Sequence, residues 1–243
     1  MKVILTGVTG FIGSEVLSQC RRDPTITSII ALSRRPLPQS IQKDPKVEVI
    51  VMEDFTVYPS SVIERLEGAD VCIWAMGTTE ARQDLEIDYP LAFCNAMAPV
   101  VARQGKTFRY IHTSGRLAER DQERCLLFLS EGRRIKGKAE LEMMDFEVNE
   151  RKLHGGHWKT FIVKPSMVLP RKGDKGDLRW LGSVFIGSVD VDELAAAMID
   201  IGRNGSEEQV SHNAEVVMRG RAVLDRILYG EEREREKASW SLW

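Results

Sequence analysis

Met1-Lys2-Val3-Ile4-Leu5-Thr6-Gly7-Val8-Thr9-Gly10-Phe11-Ile12-Gly13 opens the chain and decides how the rest is read. Val3, Ile4 and Leu5 form a short apolar run that predicts a buried strand. The glycines at 7, 10 and 13 follow it at once, and Ile12, Val16, Leu17 and Cys20 then recur at helical spacing. A strand, a glycine turn and a helix in that order make a cradle for a pyrophosphate. Backbone without Cβ lets the phosphates approach, and the amides and dipole at the helix N-terminus favour their charge. The stretch therefore predicts dinucleotide binding by Thr6, Gly7, Thr9, Gly10, Phe11, Ile12 and Gly13.

Working outward, apolar runs at 2–6, 27–33, 47–51, 70–75, 107–113 and 158–164 read as strands. Helical patterns fall at 11–22, 59–67, 89–103, about 122–150 and 190–203. The alternation predicts an α/β fold, a Rossmann-type doubly wound parallel sheet with helices on both faces and a small C-terminal substrate-side lobe. Asp88 before Tyr89-Pro90 marks a helix start, Gly105 marks that helix's end, and Pro99 within it predicts a kink or a longer loop. Residues 170–185 read as a substrate-side loop, 209–218 as a strand and 219–229 as a short helix. Residues 230–243 read as a charged, solvated tail whose Trp240 and Trp243 either dock or hang free. The 243 residues fit one NAD(P)-binding domain, with a core over about 1–165, a substrate-side part over about 166–229 and the tail beyond.

The formal net charge of −2 gives no reason to expect nucleic acid, and no stretch is long and apolar enough for a membrane span. The first strand starts at residue 2, which leaves no room for a signal peptide. Cys20, Cys72, Cys94 and Cys125 are scattered with no C-x-x-C pattern, so they read as reduced thiols of a cytoplasmic protein. His154-Gly155-Gly156-His157 reads as a loop, and no metal is expected. The expected partner is a small-molecule substrate, and a homodimer is left open.

The residue about 20 positions beyond the glycine turn sets cofactor choice, because a carboxylate there binds a ribose 2′-hydroxyl and repels a 2′-phosphate. That position is Ser33, followed by Arg34 and Arg35. A hydroxyl and two guanidinium groups suit a 2′-phosphate, so NADP(H) is expected over NAD(H). Further on, Trp74-Ala75-Met76-Gly77-Thr78-Thr79 ends the fourth strand. Gly77 lets the backbone of Ala75 and Met76 run close to a cofactor, with Thr78 as a hydrogen-bonding group.

T-G-x-x-G-x-x-G, Thr113-Ser114-Gly115, Lys136-Gly137-Lys138-Ala139-Glu140, Lys164-Pro165-Ser166-Met167 and Val189-Asp190-Val191-Asp192-Glu193 together resemble the extended and atypical short-chain dehydrogenase/reductases. Within them the chain is similar to the fungal proteins called NAD(P)-binding, nucleoside-diphosphate-sugar-epimerase-like or NmrA-like. The resemblance implies a Rossmann fold, a bound NADP(H), and chemistry on a small organic carbonyl or alcohol. It implies that Ser114 hydrogen-bonds the substrate carbonyl, that Lys136 holds the nicotinamide ribose, that Asp54 accepts from the adenine amino group, and that Pro165 and Met167 close over the nicotinamide. Asp54 reads equally well as a cap for the helix at 59–67. Family members carry a catalytic tyrosine four residues before the lysine, and here that position is Gly132. Glycine cannot move a proton, and general acid–base help is worth about 10²–10⁴-fold in rate. Tyr89, His112, Glu119, Asp121 and Glu131 are the candidate substitutes. Non-redox isomerase or cyclase chemistry and a catalytically silent NADP(H) sensor are the alternatives the missing tyrosine raises.

Overall fold

The computed structural model describes residues 1–171 and 187–240. Its centre is a seven-stranded sheet: β1 (Lys2–Thr6), β2 (Ser28–Ser33), β3 (Val47–Val51), β4 (Val71–Trp74), β5 (Phe108–Thr113), β6 (Trp158–Lys164) and, from near the C-terminus, β9 (Val210–His212). Its strands run in the order β3-β2-β1-β4-β5-β6-β9, all parallel. The six strands read from the sequence are all present, within one residue at each end.

The strands are apolar throughout because both faces are covered. Side chains still alternate. Val3, Leu5, Ile29, Ala31, Ile73 and Ile111 face α1 (Phe11–Arg22) and α6 (Val191–Asn204). Ile4, Ile30, Leu32, Cys72, Trp74 and Tyr110 face the opposite layer, α3 (Ser60–Leu66), α4 (Tyr89–Gln104) and α5 (Ser130–His154). That second layer is aromatic, with Trp74, Phe93 and Tyr110 ring to ring at 5.6–6.2 Å.

Several expectations are corrected. α4 runs unbroken through Pro99 and ends where expected, at left-handed Gly105. It starts at Tyr89 with Asp88 at its N-cap, as expected, and a π-helical turn, Asp84–Asp88, leads into it. α5 begins at Ser130, not near 122. Over 119–124 the side chains compete for the backbone: Glu119 accepts from the Asp121 amide, Asp121 accepts from the Glu123 amide, and Gln122 donates to the carbonyls of Glu119, Arg120 and Arg134. The strand expected over 209–218 stops at His212, whose amide bonds the Glu215 carboxylate, and α7 (Asn213–Trp240) starts there. α7 absorbs both the short helix expected at 219–229 and most of the tail. Its many Glu, Arg and Lys residues are good helix formers. Short elements were missed: α2 (Gln39–Gln42), and a two-stranded parallel sheet of β7 (Met167–Leu169) with β8 (Ser188–Asp190). The loop expected at 170–185 falls almost wholly outside the described residues, as does Trp243, and the described part of Trp240 is its helical backbone alone.

Candidate functional site

The strand order reverses between β1 and β4, and in such sheets ligands bind beyond the carboxyl ends of the strands at that point. The glycine turn stands there. Gly7 has φ +67°, and a Cβ on it would land on the carbonyl of Ala75, so the two turns after β1 and β4 touch through backbone. A Cβ on Gly13 would land on the Gly7 carbonyl. Both glycines are thus required by the fold itself. Gly10 differs: its only close neighbour would be the Gly7 oxygen at 3.2 Å. Gly10 forms the N-cap of α1 with no side chain capping it, which leaves the first amides of that helix available to an anion. Thr6, Ala75, Met76 and Gly77 close the rim. Thr6 is buried and its Oγ1 has no hydrogen-bond partner. Thr9 and Phe11 are exposed, while Ile12 packs on the core.

At the end of β2, Ser33 is buried and its Oγ accepts from the Arg35 amide at 3.3 Å. Arg34 and Arg35 are exposed, and neither has a carboxylate partner among the described residues. A cofactor's adenosine half extends from the β1 turn to this place in a doubly wound sheet. Asp54 is exposed and does not cap α3, whose N-cap is Pro59. Its carboxylate accepts from the Thr56 hydroxyl and amide at 2.6 and 2.7 Å, and these bonds hold its pKa below the usual carboxylate value.

The region past the carboxyl end of β5 is built from buried charge. Ser114 sits just past β5 and donates to Glu140 of α5 at 2.5 Å. Glu140 is fully buried and also accepts from Lys164 at 2.7 Å and from Arg120 Nε at 2.6 Å. One turn earlier on α5, Lys136 donates to Glu86 at 2.8 Å. Glu86 is 1% exposed, belongs to the π-helical turn, and accepts from the Thr78 amide as well. Ser114 and Lys136 are therefore held by two different carboxylates and do not bond each other. Pro165 is buried with its carbonyl accepting from the Arg116 amide, and Met167 is exposed on β7. Gly132 lies on α5 one turn before Lys136, and a Cβ there would meet Ala81 Cβ at 3.3 Å and the Glu80 carbonyl oxygen at 3.5 Å.

The substitute acids fare unevenly. His112 is buried beside Tyr110, and burial, with a smaller push from Lys136, lowers its pKa to about 3, so it is neutral at ordinary pH. Tyr89 stacks on Phe55 at 5.8 Å, and Glu119 pairs with Arg124 at 2.9 Å. Glu86 was missed in the sequence. The signal was an acid set between Leu85 and Ile87.

The fold recurs in solved structures. A short-chain dehydrogenase from Streptomyces avermitilis aligns over 100% of both chains at 17% identity with a TM-score of 0.62. Gre2 from Candida albicans, solved with NADPH, aligns over 88% of this chain and 78% of its own at 17% identity with a TM-score of 0.65. The fold is that of a short-chain dehydrogenase/reductase. No family model matches the chain. Leucinostatins biosynthesis cluster protein T of Purpureocillium lilacinum is 34% identical over 120 residues, covering 47% of this chain and 42% of that protein. The chain thus spans less than half of that relative's length. Protein fmp52-2 of Neosartorya fischeri, named as mitochondrial, is 27% identical over 236 residues, covering 88% and 94%. The sequence reading considered only the cytoplasm. No helix among the described residues is long and apolar enough to cross a membrane.

Proposed function

We propose that the chain is an NADP(H)-dependent enzyme of the atypical short-chain dehydrogenase type, acting on a small organic carbonyl or alcohol. The observation that carries this reading is the turn at 7–13. Two of its glycines are demanded by the fold, the third is approached only by the Gly7 oxygen, and uncapped helix amides face the switch point. Thr6 to Gly13 and Ala75 to Gly77 would hold the pyrophosphate and ribose, with Ser33, Arg34 and Arg35 on the 2′-phosphate. When bound, the nicotinamide supplies or accepts a hydride.

The chain's own residues then do the rest. Ser114 turns its hydroxyl from Glu140 to the substrate oxygen. Lys164 and Arg120 keep the Glu140 charge compensated, so this turn leaves no bare carboxylate in the core. Lys136 holds a ribose hydroxyl and is itself held by Glu86. Pro165 and Met167 border the nicotinamide end. A relative named for the leucinostatin cluster supports a place in secondary metabolism. A single domain, a homodimer and a cytoplasmic site complete the reading, and fractionation against a mitochondrial marker tests the last.

A second reading has its own observation. Gly132 offers no proton, and both Ser114 and Lys136 are tied to buried carboxylates. This favours a protein that binds NADP(H) and reports on it, or a non-redox isomerase or cyclase. Saturation binding of NADPH alongside its oxidation with a panel of ketones and quinones separates the readings. Oxidation that falls in Ser114→Ala supports the enzyme. Binding without oxidation supports the second reading.

A further inference from the structure

We propose that the substrate carries an oxyanion, a carboxylate or a phosphate, and that it is seated in the basic cavity beyond the carboxyl ends of β5, β6 and β9. The cavity holds about 410 Å³ and is lined by Arg116, Arg120, Arg124, Arg133, Lys164 and His212, with Glu119 as its acid. It lies on the same sheet edge as the cofactor turn, displaced towards β6, and Lys164 joins its wall to Glu140 and Ser114. The proposal rests on the reading of that edge as an NADP(H) site.

Among the described residues around the cavity, cations outnumber carboxylates. Leaving Arg116 aside, Arg120, Arg124, Arg133 and Lys164 face Glu119 and Glu140, four cations against two carboxylates among the described residues. Glu140 takes Arg120 and Lys164 together, and Glu119 takes Arg124. Arg133 has no carboxylate partner among the described residues. Its Nε donates to the Leu117 carbonyl at 2.9 Å and its guanidinium lies over the Phe128 ring at 5.1 Å. The Nη2 of Arg120 is enclosed and has no hydrogen-bond partner among the described residues, a donor left over after Glu140 takes Nε. Excess guanidinium donors around a cleft are suited to carboxylate or phosphate, which they grip in a planar fork.

The wall is fixed before any ligand arrives. The Glu119 amide bonds the Arg133 carbonyl at 2.8 Å, the Arg116 amide bonds the Pro165 carbonyl at 2.8 Å, and a Cβ on Gly137 would strike the Glu119 carbonyl. The segment after β5 is thus pressed onto α5, and Gly137 is what admits it.

The test is calorimetric titration of the full chain with inorganic phosphate and, separately, with succinate, with succinamide as the uncharged control. Each is run in saturating NADP⁺, which blocks anion binding at the glycine turn. We expect one or both anions to bind and succinamide not to. In Arg124→Ala/Arg133→Ala that affinity should fall about tenfold or more, as loss of a charge-assisted bond implies, with NADP⁺ affinity unchanged. Binding of phosphate alone assigns a phosphorylated substrate, and binding of succinate assigns a carboxylate. Equal anion affinity in the parent and the double variant overturns the site and leaves the cofactor reading standing. Failure of NADP⁺ to bind, with anion binding still lost in the variant, overturns the cofactor reading and with it the role of the cavity as a substrate seat.

Discussion

The turn after β1 and the cluster after β5 lie along one edge of one sheet, yet they are made differently. The first is backbone: Gly7 and Gly13 are pressed against carbonyls, and helix amides are left without a cap. The second is side chain: Ser114, Glu140, Lys164 and Arg120 in one group, Lys136, Glu86 and the Thr78 amide in another. At the turn, unmet hydrogen-bonding capacity waits for a ligand. In the cluster, Ser114 and Lys136 already have partners, and a ligand must compete for them. On the proposed reading, binding needs nothing rearranged, whereas chemistry needs Ser114 and Lys136 released from their carboxylates.

The largest expected effect strikes the cluster. Glu140→Ala leaves Lys164 and Arg120 facing each other without a counter-charge, and Lys164 is only 6% exposed. Breaking a buried pair from one side costs about 3–5 kcal/mol. Urea unfolding should show a loss in that range, and a loss under about 1 kcal/mol would mean that water reaches these groups. His112 comes next. Its pKa in the folded chain is about 3, below the ordinary 6.5. Between those values the unfolded chain takes up a proton that the folded chain refuses. This contribution is full above about pH 6.5 and is lost as pH falls towards 3, at up to about 1.4 kcal/mol per pH unit. Stability measured from pH 6.5 to 4.5 should fall less steeply in His112→Asn than in the parent, and parallel curves would place the pH dependence elsewhere.

A pair of glycine substitutions sharpens the contrast from the other side. Gly13→Ala puts a Cβ onto the Gly7 carbonyl and should destabilise the fold by about 1–3 kcal/mol, as overpacking does. Gly10→Val brings a Cβ to 3.2 Å from the Gly7 oxygen at the N-cap of α1, so it should cost about 1 kcal/mol of stability while NADP⁺ affinity drops about tenfold or more. A Gly10→Val protein that binds NADP⁺ normally would remove the turn from the site. The smallest effect is expected at Arg34, an exposed guanidinium with no carboxylate to release. Arg34→Ala should weaken NADP⁺ by roughly tenfold and leave NAD⁺ alone, which competition binding reads directly.

The same contrast explains what the sequence disclosed. Strand runs such as Ile29-Ile30-Ala31-Leu32 and the glycine spacing are local patterns, and the observed β2 and α1 match them closely. The buried charge was not legible, because Glu86 meets Lys136 fifty positions away and Ser114 meets Glu140 only once β5 and α5 are packed. The start of α5 was misplaced for a related reason. The side chains of Glu119, Asp121 and Gln122 bond their own backbone, and a periodicity argument sees only their polarity. The three-residue strands β7 and β8 are too short for alternation to register.

The central claim is that the edge at β1 and β4 holds NADP(H), with Ser33, Arg34 and Arg35 reading the 2′-phosphate. Calorimetric titration of the unmodified chain with NADP⁺ and with NAD⁺ under matched salt tests it directly. The account predicts saturable 1:1 binding of NADP⁺ at least about tenfold tighter than NAD⁺, a difference of about 1.4 kcal/mol. Equal affinities would contradict the assignment of Arg34 and Arg35, and no binding of either dinucleotide would contradict the account as a whole.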